Sequence, residues 1–233
     1  MKFTGERFLF RGSSNRTKAD TIVKYLFASF FVGDKIVLDI ASGIGFGSFF
    51  LAQEAKKVLG VDISSKSVEY ARENFLRDNI KFETGNALTY NYPKNYFDVI
   101  VSFQTIEHLD DPEKFLDLLS SSLKEGGTII LATPNKKVVS PFTKEPIGKF
   151  HKFEFYKKDL KKMFKNRFEA KWYGQRCVSK ILTNYFVRWS IRVLEILLKK
   201  EFGFYGVRES YQIVPLKFWY EAKDFVIILT KKK

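Results

Sequence analysis

Cysteine, long apolar runs and a signal sequence are what this 233-residue sequence most clearly lacks. Its single cysteine, Cys177, excludes an internal disulfide framework and a zinc site built on several thiolates, and favours a reducing compartment. No stretch of about 18 uncharged apolar residues occurs, and the first residues form no apolar signal core. We therefore expect a cytoplasmic protein without a transmembrane segment.

Internal repeats, low-complexity tracts and Pro/Gly/Ser-rich linkers are also absent. A hydrophobic content of 45% and a charged content of 28% are ordinary values for a globular chain that buries a core. We expect one domain over residues 1–233. Its parts are an N-terminal lid or helix at 1–34, a core at 35–135, and a basic region at 136–233 that includes the final sheet strands.

Acidic side chains are scarce only in the last third of the chain. Residues 149–233 carry 21 basic and eight acidic side chains, whereas residues 1–148 carry 19 and 18. A local excess of +13 indicates an anionic partner, such as nucleic acid, anionic lipid or a phosphorylated molecule. A solvated lysine-rich face is the alternative.

Short apolar runs alternate with helical patterns between residues 35 and 132, which predicts βαβ units and a mostly parallel sheet. Ser64 and Asp111 are suited to cap the second and third helices, and Gly126-Gly127 to end the third before the next strand. The predicted strands are 35–40, 57–61, 80–83, 97–103 and 128–132; the predicted helices are 46–55, 66–77 and 112–124.

The last third is less regular. Its pattern predicts a helix at 157–165, a strand at 168–174, a long helix at 178–200 and a strand at 224–230 that closes the sheet edge. The long helix has a wide apolar arc. Packing against the protein's own core is one way to cover that arc, and a membrane surface or a dimer interface is another.

A glycine-rich turn follows the first strand, in the run Ala41-Ser42-Gly43-Ile44-Gly45, and it opens the first helix. Such a turn lets a ligand approach the backbone, and the helix beyond it favours negative charge. The second strand ends at Asp62, 23 residues after Asp39. A carboxylate at that place can accept both ribose hydroxyls of an adenosine cofactor.

These residues resemble the class I S-adenosylmethionine (SAM)-dependent methyltransferases over about residues 35–135. The resemblance implies an α/β Rossmann-like fold, with a mostly parallel seven-stranded sheet, helices on both faces and a helical C-terminal insertion. It also implies a SAM-binding core at 35–135 and a basic acceptor-side region at 136–233. The implied cofactor-binding residues are Asp39, Ala41, Ser42, Gly43, Gly45, Asp62, Ile63, Asn86, Ala87, Phe103 and Gln104.

Two features separate this resemblance from its rivals. A nicotinamide dehydrogenase would have glycine at Ser48 and would not need an acid at Asp39. The methyltransferase family usually has glycine where Ala41 stands, so we expect either a slightly wider first turn or a shifted methionine moiety, and in both cases binding is retained.

Both histidines of the chain follow predicted strands. His108 comes after the fourth strand, in Gln104-Thr105-Ile106-Glu107-His108, and His151 comes after the fifth. Open α/β sheets bind ligands at the carboxyl ends of their strands, which favours catalytic histidines over structural ones. The pattern resembles methyltransferases of glycans and sugar-linked lipids, ubiquinone-pathway O-methyltransferases and small-RNA 3′-end 2′-O-methyltransferases.

The resemblance leaves two roles open for the predicted catalytic residues Glu107, His108 and His151. In the metal-binding relatives these positions hold a divalent cation, which implies Mg²⁺ or Mn²⁺ here, although Gln104 replaces a glutamate ligand. Without a metal, either histidine would act as general base on an acceptor hydroxyl.

We therefore expect a SAM-dependent O-methyltransferase whose acceptor is an anionic small molecule, a glycan, or a sugar-linked or phosphorylated lipid. An RNA 3′ end is the alternative acceptor, and peripheral contact with a membrane is a further expectation. A hypothesis of another class is a non-catalytic relative that binds nucleic acid or membrane through its basic third.

Overall fold

The computed structural model describes residues 15–141, 143–179, 212–217 and 220–232. An eight-stranded sheet runs through this part of the chain, in the order β3-β2-β1-β4-β5-β8-β6-β7. The strands are β1 Ile36–Ile40, β2 Lys57–Asp62, β3 Ile80–Thr84, β4 Phe97–Phe103, β5 Leu123–Pro134, β6 Phe168–Ser179, β7 Ile213–Pro215 and β8 Tyr220–Lys231. The helices are α1 Asn15–Ser29, α2 Phe46–Leu51, α3 Ser65–Asn74, α4 Pro112–Ser122, α5 Lys136–Val139, α6 Lys157–Phe164 and a 3₁₀ turn Ile106–His108.

The five strands β1 to β5 are parallel, and β8, β6 and β7 pair in antiparallel fashion beyond β5. This arrangement confirms the predicted Rossmann-like α/β class with a mostly parallel core. The predicted number of seven strands is wrong, because β7 adds an eighth at the edge. β7 has only three residues and ends in Pro215, so its sequence is too short to show the alternation of apolar and polar residues that predicts a strand.

Helices cover both faces of the sheet. On one face, Leu38 of β1 and Ile100 of β4 belong to a buried cluster with Phe115 of α4 and Phe164 of α6. On the other face, the buried cluster contains Val37, Val99 and Val101 of the same strands, together with Tyr25 and Ala28 of α1 and Leu51 of α2. Strands buried on both faces are nearly continuous apolar runs, which explains why β1 and β4 were predicted almost to the residue.

The predicted helix caps are confirmed. The Ser64 side chain accepts a hydrogen bond from Ser67 N at the start of α3, and the Asp111 side chain accepts one from Lys114 N at the start of α4. Pro112 occupies the first turn of α4, where its missing N–H costs no helical hydrogen bond.

The predicted end of α4 is wrong. The helix ends at Ser122, and Gly126-Gly127 lie within β5 instead of stopping the helix. The pairing of β4 with β5 shifts register between Phe97 and Val99, where Phe97 pairs with Leu123 and Val99 with Thr128. The two glycines fall in this irregular stretch, and Gly126 has a φ of 69° that favours glycine.

Two predictions for the last third also need correction. The final strand β8 lies between β5 and β6 and does not close the edge of the sheet. β6 extends beyond the predicted residue 174 to Ser179, because β8 supplies ladder partners as far as Tyr220. Val178 and Ser179 are therefore strand residues and not the start of a helix, and the remainder of the predicted helix 178–200 lies outside the described residues.

Within the described ranges, no helix is long and apolar enough to cross a membrane.

Candidate active site

The glycine-rich turn after β1 has the left-handed backbone that its sequence predicts. Gly43 and Gly45 have φ values of 58° and 86°. A Cβ on Gly45 would lie 2.6 Å from Ala71 Cβ, so the turn also needs the small residue for space. Ala41 has a φ of 62°, an uncommon conformation for a residue with a Cβ. The predicted departure from the family's glycine therefore coincides with local backbone strain.

Asp62 joins the turn to the end of β2. Its Oδ2 accepts a hydrogen bond of 2.8 Å from Gly43 N, and its Oδ1 accepts one of 2.9 Å from Ser64 N. The side chain is buried apart from the part that lines the cleft. Both carboxylate oxygens keep further lone pairs, so Asp62 can still accept hydrogen bonds from two hydroxyl groups.

A cleft of about 510 Å³ opens along the carboxyl ends of β1, β2 and β4. Its walls include nine of the eleven predicted cofactor residues: Ala41, Ser42, Gly43, Asp62, Ile63, Asn86, Ala87, Phe103 and Gln104. Asp39 and Gly45 are not among the residues that line it. The sequence pattern thus predicted where the cleft lies. It did not distinguish the residues that line the cleft from those that lie behind its surface.

Asp39 supports the cleft from behind. It is 1% exposed, and its carboxylate accepts hydrogen bonds from Tyr25 at 3.2 Å and from Ser48 at 2.6 Å. Burial raises the pKa of Asp39 to about 7, against the lowering effect of these two hydrogen bonds. In this structure the residue ties α1 and α2 to β1 from behind the turn.

Helix α1 forms a wall of the cleft, and none of its cleft-lining residues is among the predicted site residues. Thr17, Thr21, Lys24 and Tyr25 line it at helical spacing. Lys24 is 4% exposed and forms an ion pair of 3.4 Å with Asp224 of β8. The regular spacing of Thr17, Thr21 and Lys24 is the sequence signal that could have assigned this face of the expected N-terminal helix.

Glu107, His108 and His151 come together beside this cleft, which His108 lines. One carboxylate oxygen of Glu107 and one ring nitrogen of each histidine all lie within 4.8 Å of one another. The two imidazole rings are edge to face, with centroids 5.0 Å apart. Two histidines separated by 43 positions in sequence therefore meet at one place, as the ends of β4 and β5 predicted.

Glu107 is fully buried, and its two oxygens differ. Oε2 accepts a hydrogen bond of 3.0 Å from Thr133 Oγ1, whereas Oε1 meets no partner among the residues that the structure describes. Burial raises the pKa of Glu107 to about 8, and the nearby Asp224 carboxylate acts in the same direction. An unsatisfied buried carboxylate oxygen fits either a proton or a cation.

Each histidine is oriented through its Nδ1. His108 Nδ1 is 2.9 Å from the Phe150 carbonyl oxygen, and His151 Nδ1 is 2.9 Å from Glu154 Oε1. Since a carbonyl and a carboxylate only accept hydrogen bonds, Nδ1 carries the proton in both neutral rings and Nε2 carries the lone pair. Both rings thus offer Nε2 as the atom that can accept a proton or bind a metal.

Gln104 lines the same cleft in an uncommon backbone conformation. Its φ is 51°, and its backbone N–H donates a hydrogen bond of 2.8 Å to the Ala132 carbonyl oxygen. Ala41 and Gln104, the two positions where the sequence departs from the resembled family, are thus both left-handed residues on the wall of the cleft.

A parallel sheet with a cleft over a glycine turn and an acidic residue at the end of β2 is typical of Rossmann-like folds that bind an adenosine-containing cofactor. Comparison with known proteins is more specific, because the model of a methyltransferase domain family matches residues 32–199. The chain belongs to this family of SAM-dependent methyltransferases.

Several curated relatives match the chain over part of its length. A Mycolicibacterium smegmatis protein named "Probable S-adenosylmethionine-dependent methyltransferase" is 33% identical over 53% of this chain and 48% of its own. The mitochondrial ubiquinone biosynthesis O-methyltransferase of Dictyostelium discoideum is 32% identical over 55% and 47%. Phosphoethanolamine N-methyltransferase 1 of Arabidopsis thaliana is 35% identical over 41% and 20%. The chain thus spans about half the length, or less, of these relatives.

Solved structures share the whole fold. A SAM-dependent methyltransferase from Archaeoglobus fulgidus aligns with a TM-score of 0.62 and 23% identity, over 95% of this chain and 96% of that one. A second, from Mesorhizobium loti, aligns with a TM-score of 0.60 and 15% identity, over 91% and 99%. At these identities the likeness establishes the fold alone.

Proposed function

We propose that this protein transfers the methyl group of SAM to a hydroxyl oxygen of an anionic acceptor. The observation that carries the proposal is the convergence of His108 and His151, each with its lone pair on Nε2, beside the cleft that contains the glycine turn and Asp62. The cofactor supplies an electrophilic methyl group when it is bound. The residues of the chain supply alignment and proton removal.

The cleft residues divide the work between binding and proton transfer. Asp62 accepts the ribose hydroxyls, and Asn86, whose Oδ1 is fixed by a 2.8 Å hydrogen bond from Leu88 N, faces the adenine end. His108 or His151 takes the proton of the acceptor hydroxyl on Nε2 as the acceptor oxygen bonds to the methyl carbon and the carbon–sulfur bond breaks. The thioether product and a protonated imidazole result.

The charge distribution supports an anionic acceptor. Residues 149–233 have a net charge of +13, whereas the cleft itself is balanced, because Lys24 and Lys152 line it together with Asp62 and Asp110. Among the relatives, one is named as a phosphoethanolamine N-methyltransferase and one as a ubiquinone biosynthesis O-methyltransferase, so a phosphorylated acceptor and transfer to oxygen each appear in the name of a related protein. We infer a glycan, a sugar-linked or phosphorylated lipid, or a phosphorylated small molecule.

Radiolabelled SAM and a panel of such acceptors test the proposal. We expect label to enter at least one anionic hydroxyl compound, and the His151→Ala or His108→Ala variant to lower turnover by about 10²-fold. The affinity for S-adenosylhomocysteine should stay nearly constant, because neither imidazole belongs to the ribose clamp. Normal turnover in both histidine variants would contradict the role given to this cluster.

An RNA 3′-end 2′-O-methyltransferase is the second candidate, favoured by the unsatisfied Oε1 of buried Glu107 next to two imidazoles. Glu107, His108 and His151 would hold a divalent cation, and two imidazoles beside one carboxylate fit Mn²⁺ better than Mg²⁺, which prefers oxygen ligands. When bound, such an ion would make the acceptor hydroxyl more acidic.

A chelator separates the two candidates. The metal-dependent enzyme should lose activity with EDTA and regain it with Mg²⁺ or Mn²⁺, and Gln104→Glu should tighten metal binding by adding a charged oxygen ligand. The metal-free enzyme should keep its rate in EDTA. An RNA substrate that is methylated only with added cation would replace our first proposal by the second.

A further inference from the structure

Glu154 is a buried carboxylate that lies against His151. Its side chain is 1% exposed. The carboxylate accepts hydrogen bonds from the Ser140 hydroxyl, from Gly148 N at 3.2 Å and from His151 Nδ1 at 2.9 Å. Three donors thus converge on one buried carboxylate, which is the acceptor in each contact.

Gly148 limits the position of the same imidazole from another side. A Cβ on Gly148 would lie 2.2 Å from His151 Nδ1, so the ring packs directly on the glycine backbone. The His151 N–H also donates a hydrogen bond of 2.9 Å to the Gly148 carbonyl oxygen. The His151 ring occupies the space that a side chain at residue 148 would fill. Glycine at this position therefore allows the ring to reach the Glu154 carboxylate.

The segment that carries these residues is attached to Glu107. The backbone N–H groups of Lys152 and Phe153 donate hydrogen bonds of 2.8 and 3.0 Å to the Glu107 carbonyl oxygen. The position of His151 relative to Glu107 and His108 is thus set by main-chain contacts. Its ring orientation and proton location are left to the side-chain contact with Glu154.

We infer that Glu154 is a positioning residue, which keeps the His151 proton on Nδ1 and the lone pair on Nε2 beside Glu107 and His108. The inference rests on the proposed function for its catalytic meaning, but the tautomer itself does not depend on the reaction. A metal ligand and a general base both need the lone pair on Nε2, so the inference holds for either candidate function. Glu154 contacts His151 in the same way as the carboxylate of a hydrolase triad contacts its histidine, by accepting the Nδ1–H hydrogen bond.

Nitrogen NMR of the ¹⁵N-histidine-labelled protein tests this inference, because the chain contains only two histidines. A His108→Gln variant assigns the remaining signals to His151. We expect wild-type His151 to be the Nδ1–H tautomer, and Glu154→Ala to lose that signature. The signals of His108, which is held by the Phe150 carbonyl, should not change and serve as an internal control.

Glu154→Gln is the matched variant. Its amide oxygen can still accept from Gly148 N and His151 Nδ1, while its NH₂ group can donate to Ser140 Oγ, so the tautomer should be retained without the negative charge. We expect turnover to fall by about 10-fold or more in Glu154→Ala and by less in Glu154→Gln, with unchanged affinity for S-adenosylhomocysteine.

Three results decide the inference. Wild-type His151 protonated on Nε2, or a Glu154→Ala variant that keeps the Nδ1–H signature, overturns it. If Glu154→Ala fails to fold, Gly148→Ala replaces it, since the added methyl group should force the ring away from Glu154 and change the same signals. If the signals behave as expected but His151→Ala turns over normally, the positioning role stands and the proposed function of His151 falls.

Discussion

At the scale of single residues, burial explains the unusual chemistry of the site. Asp39 and Glu107 are both fully buried carboxyl groups whose pKa values are raised, to about 7 and about 8. Asp98 is the opposite case, since its hydrogen bonds from Lys124 and Ile36 N outweigh its burial and lower its pKa. Two aspartates therefore affect stability in opposite ways: Asp39 lowers the stability of the fold as pH rises, and Asp98 lowers it as pH falls.

The first prediction concerns Asp39 and the pH dependence of stability. A raised pKa means that the folded protein binds more protons than the unfolded chain, so stability should fall as pH rises from about 4 to about 7. Asp39→Asn removes this titration and should make the decline shallower, while Glu107 continues to contribute up to about pH 8. Thermal unfolding of the apo protein between about pH 2.5 and about pH 8.5 measures both slopes and the acid limb below them.

Asp98→Asn is the matched control for this experiment. The lowered pKa of Asp98 means that its stabilising effect is present near neutral pH and is lost in acid, as pH falls through that pKa. The variant should therefore change the acid limb of the curve and leave the slope between pH 5 and 7 as in the wild type. A slope that is identical in Asp39→Asn and the wild type would refute the account of Asp39.

At the scale of elements, α6 combines a buried face with a basic one. Leu160 and Phe164 are buried, whereas Lys158, Lys161 and Lys162 are exposed. Lys157 differs from these, because it is half-buried with its ammonium over the Trp172 ring, whereas Lys158 stays exposed although its ammonium lies over the Tyr156 ring. The three exposed lysines are therefore the part of α6 that can meet an anionic partner without disturbing the core.

The second prediction is that charge reversal on this face weakens anion binding. Lys158→Glu, Lys161→Glu and Lys162→Glu together should lower affinity for RNA or for anionic vesicles by at least about 10-fold at low salt, and wild-type binding should itself fall steeply with salt. Sedimentation with vesicles and filter binding with RNA, run side by side, measure the effect.

The same reversal at Lys56, Lys57 and Lys66 provides the control, since these exposed lysines lie on the cofactor-binding half of the chain. Equal losses in the two triple variants would mean that net charge alone is responsible. No loss in the α6 variant would assign its lysines to a solvated face. A preference of the wild type for RNA or for vesicles would select between the two acceptor classes.

At the scale of the whole molecule, the parts of the fold that depend on local pattern were predictable. Strand β4 matched its predicted bounds, and the convergence of His108 with His151 followed from the rule that parallel strands end at one edge. Interactions between distant segments were not predictable: β6 extends to Ser179 only because β8 pairs with it. The place of Glu154 depends on Ser140, Gly148 and His151 together, so no spacing in the sequence indicates it.

The central claim is that the cleft between the glycine turn and Asp62 binds the SAM family of ligands. Calorimetric titration with S-adenosylhomocysteine tests it in the wild type, in Asp62→Ala, and in Asp110→Ala, which removes an exposed acid from the same cleft. Thermal unfolding of each variant checks that it is folded.

We predict one site per chain in the wild type, a loss of affinity of about 10-fold or more in Asp62→Ala, and nearly unchanged affinity in Asp110→Ala, because only Asp62 is held by Gly43 N and Ser64 N as a ribose acceptor. Equal affinity of folded Asp62→Ala and wild type, or no binding by the wild type, would contradict the account.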